Sequence, residues 1–304
     1  MLRGPPASLL FLQSQQTRVN MIVDITVAAS GCTKESSPMF DPVAFQIFGL
    51  EIRWYGILIT FGMMLGIAVV LYQVRKHGEK EEWFLDMALM AIPAGLLGAR
   101  LYYVLFDLHN YQYTWRTALN FRQGGLAIHG GVIAGVIVGY FYTRYRKVSF
   151  FRWADLAMPG LILAQAIGRW GNFFNQEAYG YPTTLPWAMF IAGEYRHPTF
   201  LYESLWNLGV FVLLIYMLGR KRFDGQIAAL YLMGYSAGRL WIEGLRTDSL
   251  MLGPIRVAQL ISILMIVAGA ALYHYRGKRR TGLGEEPRSF PPQSENGAPP
   301  PVDQ

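Results

Sequence analysis

Four short stretches of this chain place ionisable or strongly polar side chains next to residues that prefer hydrocarbon. The richest is Tyr235, Arg239, Glu243 and Arg246, spaced by four, four and three residues. At about 100° per helical residue these fall within an arc of roughly 80°, so one helix face carries a phenol, two guanidinium groups and a carboxylate. A planar guanidinium matches phosphate oxygens, which makes Arg239 a candidate for holding an anion. The alternative is an Arg239–Glu243 pair that neutralises itself and ties helices together. The second stretch is Gly168-Arg169-Trp170-Gly171-Asn172-Phe173-Phe174-Asn175-Gln176-Glu177-Ala178-Tyr179-Gly180. It concentrates Arg169, Asn172, Asn175 and Glu177 at the end of an apolar block, either as a binding site or as a turn capped by its own amides. The third is Gly124-Gly125-Leu126-Ala127-Ile128-His129-Gly130-Gly131. His129 there is either a base or a helix-to-helix hydrogen bond, with flanking glycines that admit a close neighbour. The fourth is Arg100, late in an apolar block, which either faces a site or snorkels to an interface.

The elements that must position these groups are membrane helices. Only 15% of the 304 residues are charged and 53% are hydrophobic, with a mean hydropathy of +0.24, whereas a soluble domain is about 25% charged. The apolar residues come in about seven blocks near the ~20 residues that a bilayer-spanning helix needs. They lie at roughly 54–74, 83–106, 126–143, 154–169, 200–219, 226–245 and 257–275; the fourth is short enough to be partly re-entrant. The expected fold is an all-α, polytopic membrane bundle of about seven transmembrane helices with a small external head formed by the 170–199 connection. Its Trp170, Phe173, Phe174, Tyr179, Tyr181 and Trp187 suit the membrane interface. Small residues four apart (Gly62 and Gly66; Gly131, Gly135 and Gly139; Gly234 and Gly238) serve close helix packing.

Basic residues set the orientation. Arg75, Lys76 and Lys80, then Arg144, Arg146, Lys147 and Arg152, then Arg220, Lys221 and Arg222, then Arg276, Lys278, Arg279 and Arg280 follow alternate blocks. Positive-inside bias therefore puts the amino terminus outside and the carboxyl terminus in the cytoplasm. The net charge of +7 is spent in these loops, which argues against a nucleic-acid partner. With this topology Arg100, His129, Arg169, Tyr235 and Arg239 all fall in the outer half, and together they describe an anionic-headgroup site open to the membrane. The single cysteine, Cys32, excludes an internal disulfide and a cysteine-cluster metal site. Three regions follow: 1–45 as an amino-terminal extension and external segment, 46–276 as the membrane-embedded domain, and 277–304 as a Pro-rich cytoplasmic tail expected to be disordered.

The Gly168–Gly180 run closely resembles the signature of the phosphatidylglycerol–prolipoprotein diacylglyceryl transferase family. The stretch ending His129-Gly130-Gly131, the run Arg196-His197-Pro198-Thr199-Phe200-Leu201-Tyr202-Glu203, the polar helix Tyr235–Arg246, and the pieces Phe40-Asp41-Pro42 and Trp54-Tyr55-Gly56 also resemble that family, in order, over about 40–276. The compact segment between Gly180 and His197 departs from the pattern of some members. The resemblance implies transfer of sn-1,2-diacylglyceryl from phosphatidylglycerol to the lipobox cysteine thiol of a prolipoprotein, giving a thioether and glycerol 1-phosphate. It implies a multi-pass protein of the bacterial inner membrane, with phosphatidylglycerol, prolipoprotein signal peptides and membrane lipids as partners. No cofactor or metal is implied, since the arginines supply the positive charge. On that reading Arg169 and Arg239 bind the phosphodiester, and His129 or Tyr235 takes the thiol proton. Asn172 and Glu177 shape the headgroup pocket, Glu243 orients Arg239, and Arg100 and Tyr55 are further lipid contacts. The residues alone leave two rivals, a transporter of an anionic solute and a non-catalytic membrane scaffold.

Overall fold

The structure, a computed structural model, describes residues 41–106, 125–191 and 193–282. A hairpin of β1 (Val43–Ile47) and β2 (Leu50–Arg53) leads directly into α1 (Trp54–Lys76). Then come α2 (Glu81–Phe106), α3 (Ile128–Tyr145) and α4 (Phe150–Phe174). A second hairpin, β3 (Met189–Ile191) with β4 (Glu194–Arg196), precedes α5 (Thr199–Leu218). After α6 (Gln226–Ile242) and a 3-10 turn at Glu243–Leu245, a short hairpin of β5 (Met251–Leu252) and β6 (Ile255–Arg256) opens α7 (Val257–Gly282).

Each expected apolar block is a helix, with two corrections. The fourth block is not short: α4 runs 25 residues and carries the Gly168-to-Phe174 part of the motif on its last turns. Its polar residues broke the apolar block but not the backbone ladder, since arginine and glutamine are good helix formers. At the other end α7 continues through Gly277 to Gly282, and only 283–304 of the tail lie outside the described residues, as do most of the amino-terminal extension and Gly124. Among the described residues, four helices (α1, α2, α5 and α7) are long and apolar enough by length and composition to cross a membrane.

Neighbouring helices alternate in direction. Gly62 faces Ala164 and Ile167 while Gly66 faces Gly160, so α1 runs against α4; Gly98 on Gly130 does the same for α2 and α3. These crossings need glycine. A Cβ on Gly160 would stand 2.3 Å from the Gly66 carbonyl oxygen, and one on Gly130 would stand 2.2 Å from that of Gly98. Of the expected small-residue stripe on α3, Gly135 meets no neighbour within 4 Å, and the close approach is made by Gly130 instead.

The apolar core (Val74, Trp153, Leu156, Leu214, Leu218 and Ile227 among others) lies around the end of α1, the start of α4, the end of α5 and the start of α6. It therefore occupies the half of the bundle away from Arg169 and Arg239. Beneath it, Asp155 of α4 is fully buried and accepts from the Gly225 and Ala228 amides at 2.8 and 2.9 Å and from Lys221 Nζ at 3.2 Å. A carboxylate there satisfies the unpaired donors at the α6 amino terminus and opposes the helix dipole. It also fixes the depth of α6 against the parallel α4. Gln165 then meets Tyr231 at 2.9 Å, and Arg169 meets Tyr235 at 3.5 Å. Replacing Asp155 with Ala is expected to cost about 3 kcal/mol, because it leaves the Gly225 and Ala228 amides without an acceptor and removes one of the two carboxylates that pair with the buried Lys221. Chemical denaturation in detergent measures this, and an unchanged midpoint would remove Asp155 from the frame.

Candidate functional site

The polar end of the bundle is built by α4, α5 and α6. Arg169 comes from the penultimate turn of α4, Glu203 from the second turn of α5, and Arg239 from the last turn of α6. Glu203 is 4% exposed and bridges the two arginines: one carboxylate oxygen lies 2.7 Å from Arg169 Nε, the other 2.7 Å from Arg239 Nη1. Arg239 Nη2 lies 2.7 Å from Glu243, which is also buried. Arg246 approaches Glu203 at 3.6 Å and Glu243 at 3.9 Å. Three guanidinium groups thus share two buried carboxylates. Buried charges persist only when paired in this way.

The structural alternative from the sequence, an Arg239–Glu243 pair, is present, but as one edge of a larger network. The single-face expectation needs correcting at its end. The α-helix stops at Ile242, Glu243 opens a 3-10 turn, and Arg246 is extended. Arg246 therefore reaches the cluster from beyond the helix, held by a bidentate pair with Asp248 at 2.7 and 2.9 Å. The Arg256 guanidinium donates to the Glu243 carbonyl and lies 3.2 Å from the Tyr181 hydroxyl, closing this corner.

The glycine-flanked motif turns sharply after α4. Gln176 and Ala178 adopt left-handed φ of 52° and 57°, uncommon for residues with a Cβ. The buried Ala178 carbonyl accepts from the Thr199 hydroxyl at the start of α5. Gly171 is needed because the Tyr55 ring lies where its Cβ would be, at 2.6 Å. This places Tyr55 against the motif. Asn172 caps the turn through its carbonyl, which accepts from the Glu177 amide at 3.0 Å. The exposed Glu177 carboxylate accepts from the Asn175 side chain at 3.2 Å. The capped-turn reading of these amides is therefore realised beside the arginine cluster.

Arg100 and His129 form a second group at the α2–α3 crossing. Arg100 is 1% exposed and donates to the Gly125 carbonyl at 3.0 Å, so it is buried rather than snorkelling. Gly125, at φ +74°, has no room for a Cβ beside the Tyr103 ring and Arg100. The exposed His129 ring sits 6.0 Å from that of Tyr102. The structure thus unites Arg169, Tyr235, Arg239, Glu243 and Arg246, places Tyr55, Asn172 and Glu177 around the motif, and holds Arg100 and His129 in a neighbouring seam. Sequence reasoning passed over Glu203, reading its run as the start of a helix. The available signal was a carboxylate followed by sixteen residues without a charge up to Gly219, which is costly in hydrocarbon unless paired.

A helical membrane protein with a buried, arginine-rich polar end is the class that this fold and site define. A family profile described as prolipoprotein diacylglyceryl transferase matches residues 42–275. A phosphatidylglycerol–prolipoprotein diacylglyceryl transferase of Clostridioides difficile is 47% identical over 247 residues, 81% of this chain and 100% of that protein. The Clostridium botulinum (strain Langeland) enzyme of the same name is 49% identical over 237 residues, 75% of this chain and 93% of that protein. The Finegoldia magna one is 48% identical over 233 residues, 76% and 94% respectively. The chain belongs to the prolipoprotein diacylglyceryl transferase family.

Outside the helices, burial alone would push the Asp248 carboxyl up, and its pairing with Arg246 outweighs this and holds it below the usual range. A depressed carboxyl contributes stability above its unfolded value of about 4 and loses that contribution as pH falls through the folded value. Asp248→Asn is accordingly expected to lower the melting temperature at pH 7. Its difference from wild type should shrink as pH falls through the folded carboxyl's depressed range. A difference that does not change with pH would show that the Asp248 charge plays no part.

Proposed function

We propose that this transferase moves the sn-1,2-diacylglyceryl group of phosphatidylglycerol onto the lipobox cysteine of a prolipoprotein signal peptide. The observation that carries the reading is the set of part-exposed guanidinium groups, Arg169 and Arg239 at 20% and 19% of their side chains, above carboxylates that are almost wholly buried. An anion approaching from the membrane meets the arginines first. Two planar forks suit a phosphodiester.

In the reaction the cysteine thiol gives its proton to a base and the sulfur attacks the glyceryl carbon that bears the phosphate. A carbon–sulfur bond forms, the carbon–oxygen bond breaks, and the electron pair leaves on the phosphate oxygen of glycerol 1-phosphate. Arg169 and Arg239 stabilise that developing charge, in a water-poor site where such preorganised groups act most strongly. Glu243 orients Arg239. His129 takes the thiol proton as general base. Its place in the α2–α3 seam suits this role, because an attacking sulfur enters opposite the leaving phosphate. Tyr235, beside Arg169, orients the headgroup, as do Asn172, Glu177, Tyr55 and Arg100. All seven helices cross the bacterial inner membrane, with the amino terminus and the 175–198 head outside and the carboxyl terminus in the cytoplasm. The alternating helix directions and the basic loops support this arrangement.

Transfer is measured with purified protein in liposomes, using phosphatidylglycerol, a synthetic lipobox peptide and its mass shift. A diacylglyceryl adduct is expected, absent with a Cys→Ser peptide. Arg239→Lys keeps the charge but loses the fork, and is expected to cost about 10²-fold in kcat/KM. His129→Asn should lose turnover while Tyr235→Phe mainly raises KM. Wild-type rates in Arg239→Lys would end the phosphate assignment, and wild-type rates in His129→Asn would end the base assignment.

A further inference from the structure

The two buried carboxylates need an explanation, because they compete for the same guanidinium groups that the lipid phosphate requires. Glu203 occupies Arg169 Nε and Arg239 Nη1 at 2.7 Å each. The helix that carries it is held in place. On the next position of α5, Ser204 donates to the Ala166 carbonyl at 2.9 Å and accepts from the Trp170 indole at 3.2 Å, which clamps α5 to α4. Thr199, at the start of α5, is tied to the Ala178 carbonyl. The exposures are also graded. The Glu203 and Glu243 side chains are 5% and 3% exposed, whereas those of Arg169 and Arg239 are 20% and 19%. The carboxylates form a floor beneath the arginines, out of reach of a ligand that the arginines hold.

Resting on the phosphodiester reading above, we propose that Glu203 is a positioning residue that sets the charge of the site. It holds the Arg169 and Arg239 forks in register and fixes the cluster to receive one negative charge and reject two. Four guanidinium groups in this corner, Arg169, Arg239, Arg246 and Arg256, stand over three carboxylates, Glu203, Glu243 and Asp248, and leave a single positive charge. A phosphodiester carries one negative charge and completes neutrality. A phosphomonoester carries nearly two above its second pKa of about 6, and the surplus would sit against Glu203 in a medium where unpaired charge is costly. The product of the reaction is a phosphomonoester. The same carboxylate that positions the arginines for the donor therefore weakens the site for the product and for phosphatidic acid.

The test uses the full-length protein in detergent micelles. Binding of phosphatidylglycerol and phosphatidic acid is read by competition with a fluorescent phosphatidylglycerol, and transfer kinetics are read with and without added glycerol 1-phosphate. Glu203→Gln keeps the shape and removes the charge. It is expected to tighten phosphatidic acid and glycerol 1-phosphate roughly tenfold, the size of one charge-assisted hydrogen bond, and to lower kcat without raising the KM for phosphatidylglycerol. Glu203→Asp should restore the wild-type preference for diester over monoester. A purely structural role predicts fewer active molecules with unchanged affinity ratios, and that result would overturn the proposal. The wild type supplies a check that needs no variant: inhibition by glycerol 1-phosphate should strengthen as pH falls from about 7.5 to 5.5 and the monoester loses its second charge. A flat profile would overturn the proposal even if Glu203→Gln does not fold. Failure of transfer by wild type that still prefers phosphatidylglycerol to phosphatidic acid would overturn the activity and leave the charge rule standing.

Discussion

The structure depends on the cost of ionised side chains in a low-dielectric bundle. Arg169, Arg239 and Arg246 cannot remain there without counter-charge, and Glu203 and Glu243 supply it. Because those five groups come from α4, α5, α6 and the turn beyond it, the pairing also decides how these segments meet. Electrostatics and packing impose the same register, and helices that slipped by a turn would strand charges in hydrocarbon.

That register is set from two ends. At one end Asp155 captures the amino terminus of α6 and Lys221. At the other, Glu203 captures the arginines. Between them Gln165 pairs with Tyr231 and Tyr231 stacks on Tyr235 at 5.9 Å between ring centroids, so a polar line links the anchors through the bundle. Without a hydrophobic force between membrane helices, close backbone approach and such hydrogen bonds carry association. The contacts of Gly62, Gly66 and Gly160 bring α1 onto α4, and with it Tyr55 onto the motif. The arginine cluster at one end of the bundle thus rests on a frame built at the other.

The site itself separates tasks by depth and by helix. Carboxylates lie lowest, guanidinium groups above them, and the turn carrying Asn172 and Glu177 flanks them. His129 and Arg100 occupy a different seam. A displacement that forms one bond as it breaks another requires groups on two sides of the reacting carbon, and a bundle can provide them from separate helix pairs.

Much of this was legible in the sequence. Each apolar block coincides with a helix among the described residues, because a helix-forming apolar run is a local property of the chain. Ionisable residues inside those blocks marked Arg169, Tyr235, Arg239 and Glu243 as belonging together. Long-range geometry was not legible. Glu203 lies 34 residues beyond Arg169 and 36 before Arg239, so no periodicity connects them. Arg246 shares a helical spacing with Arg239, yet the chain leaves the helix at Ile242 and delivers it from outside. The sequence grouped Arg100 and His129 with the arginines in one site; the structure holds them at the α2–α3 crossing of Gly98 and Gly130, while Arg169 and Arg239 meet through Glu203 across α4, α5 and α6. The sequence by itself determined which residues had to be paired, since the cost of an unpaired charge depends only on the medium. Only the tertiary structure decided with what they pair, because partners are chosen by packing between segments far apart in the chain.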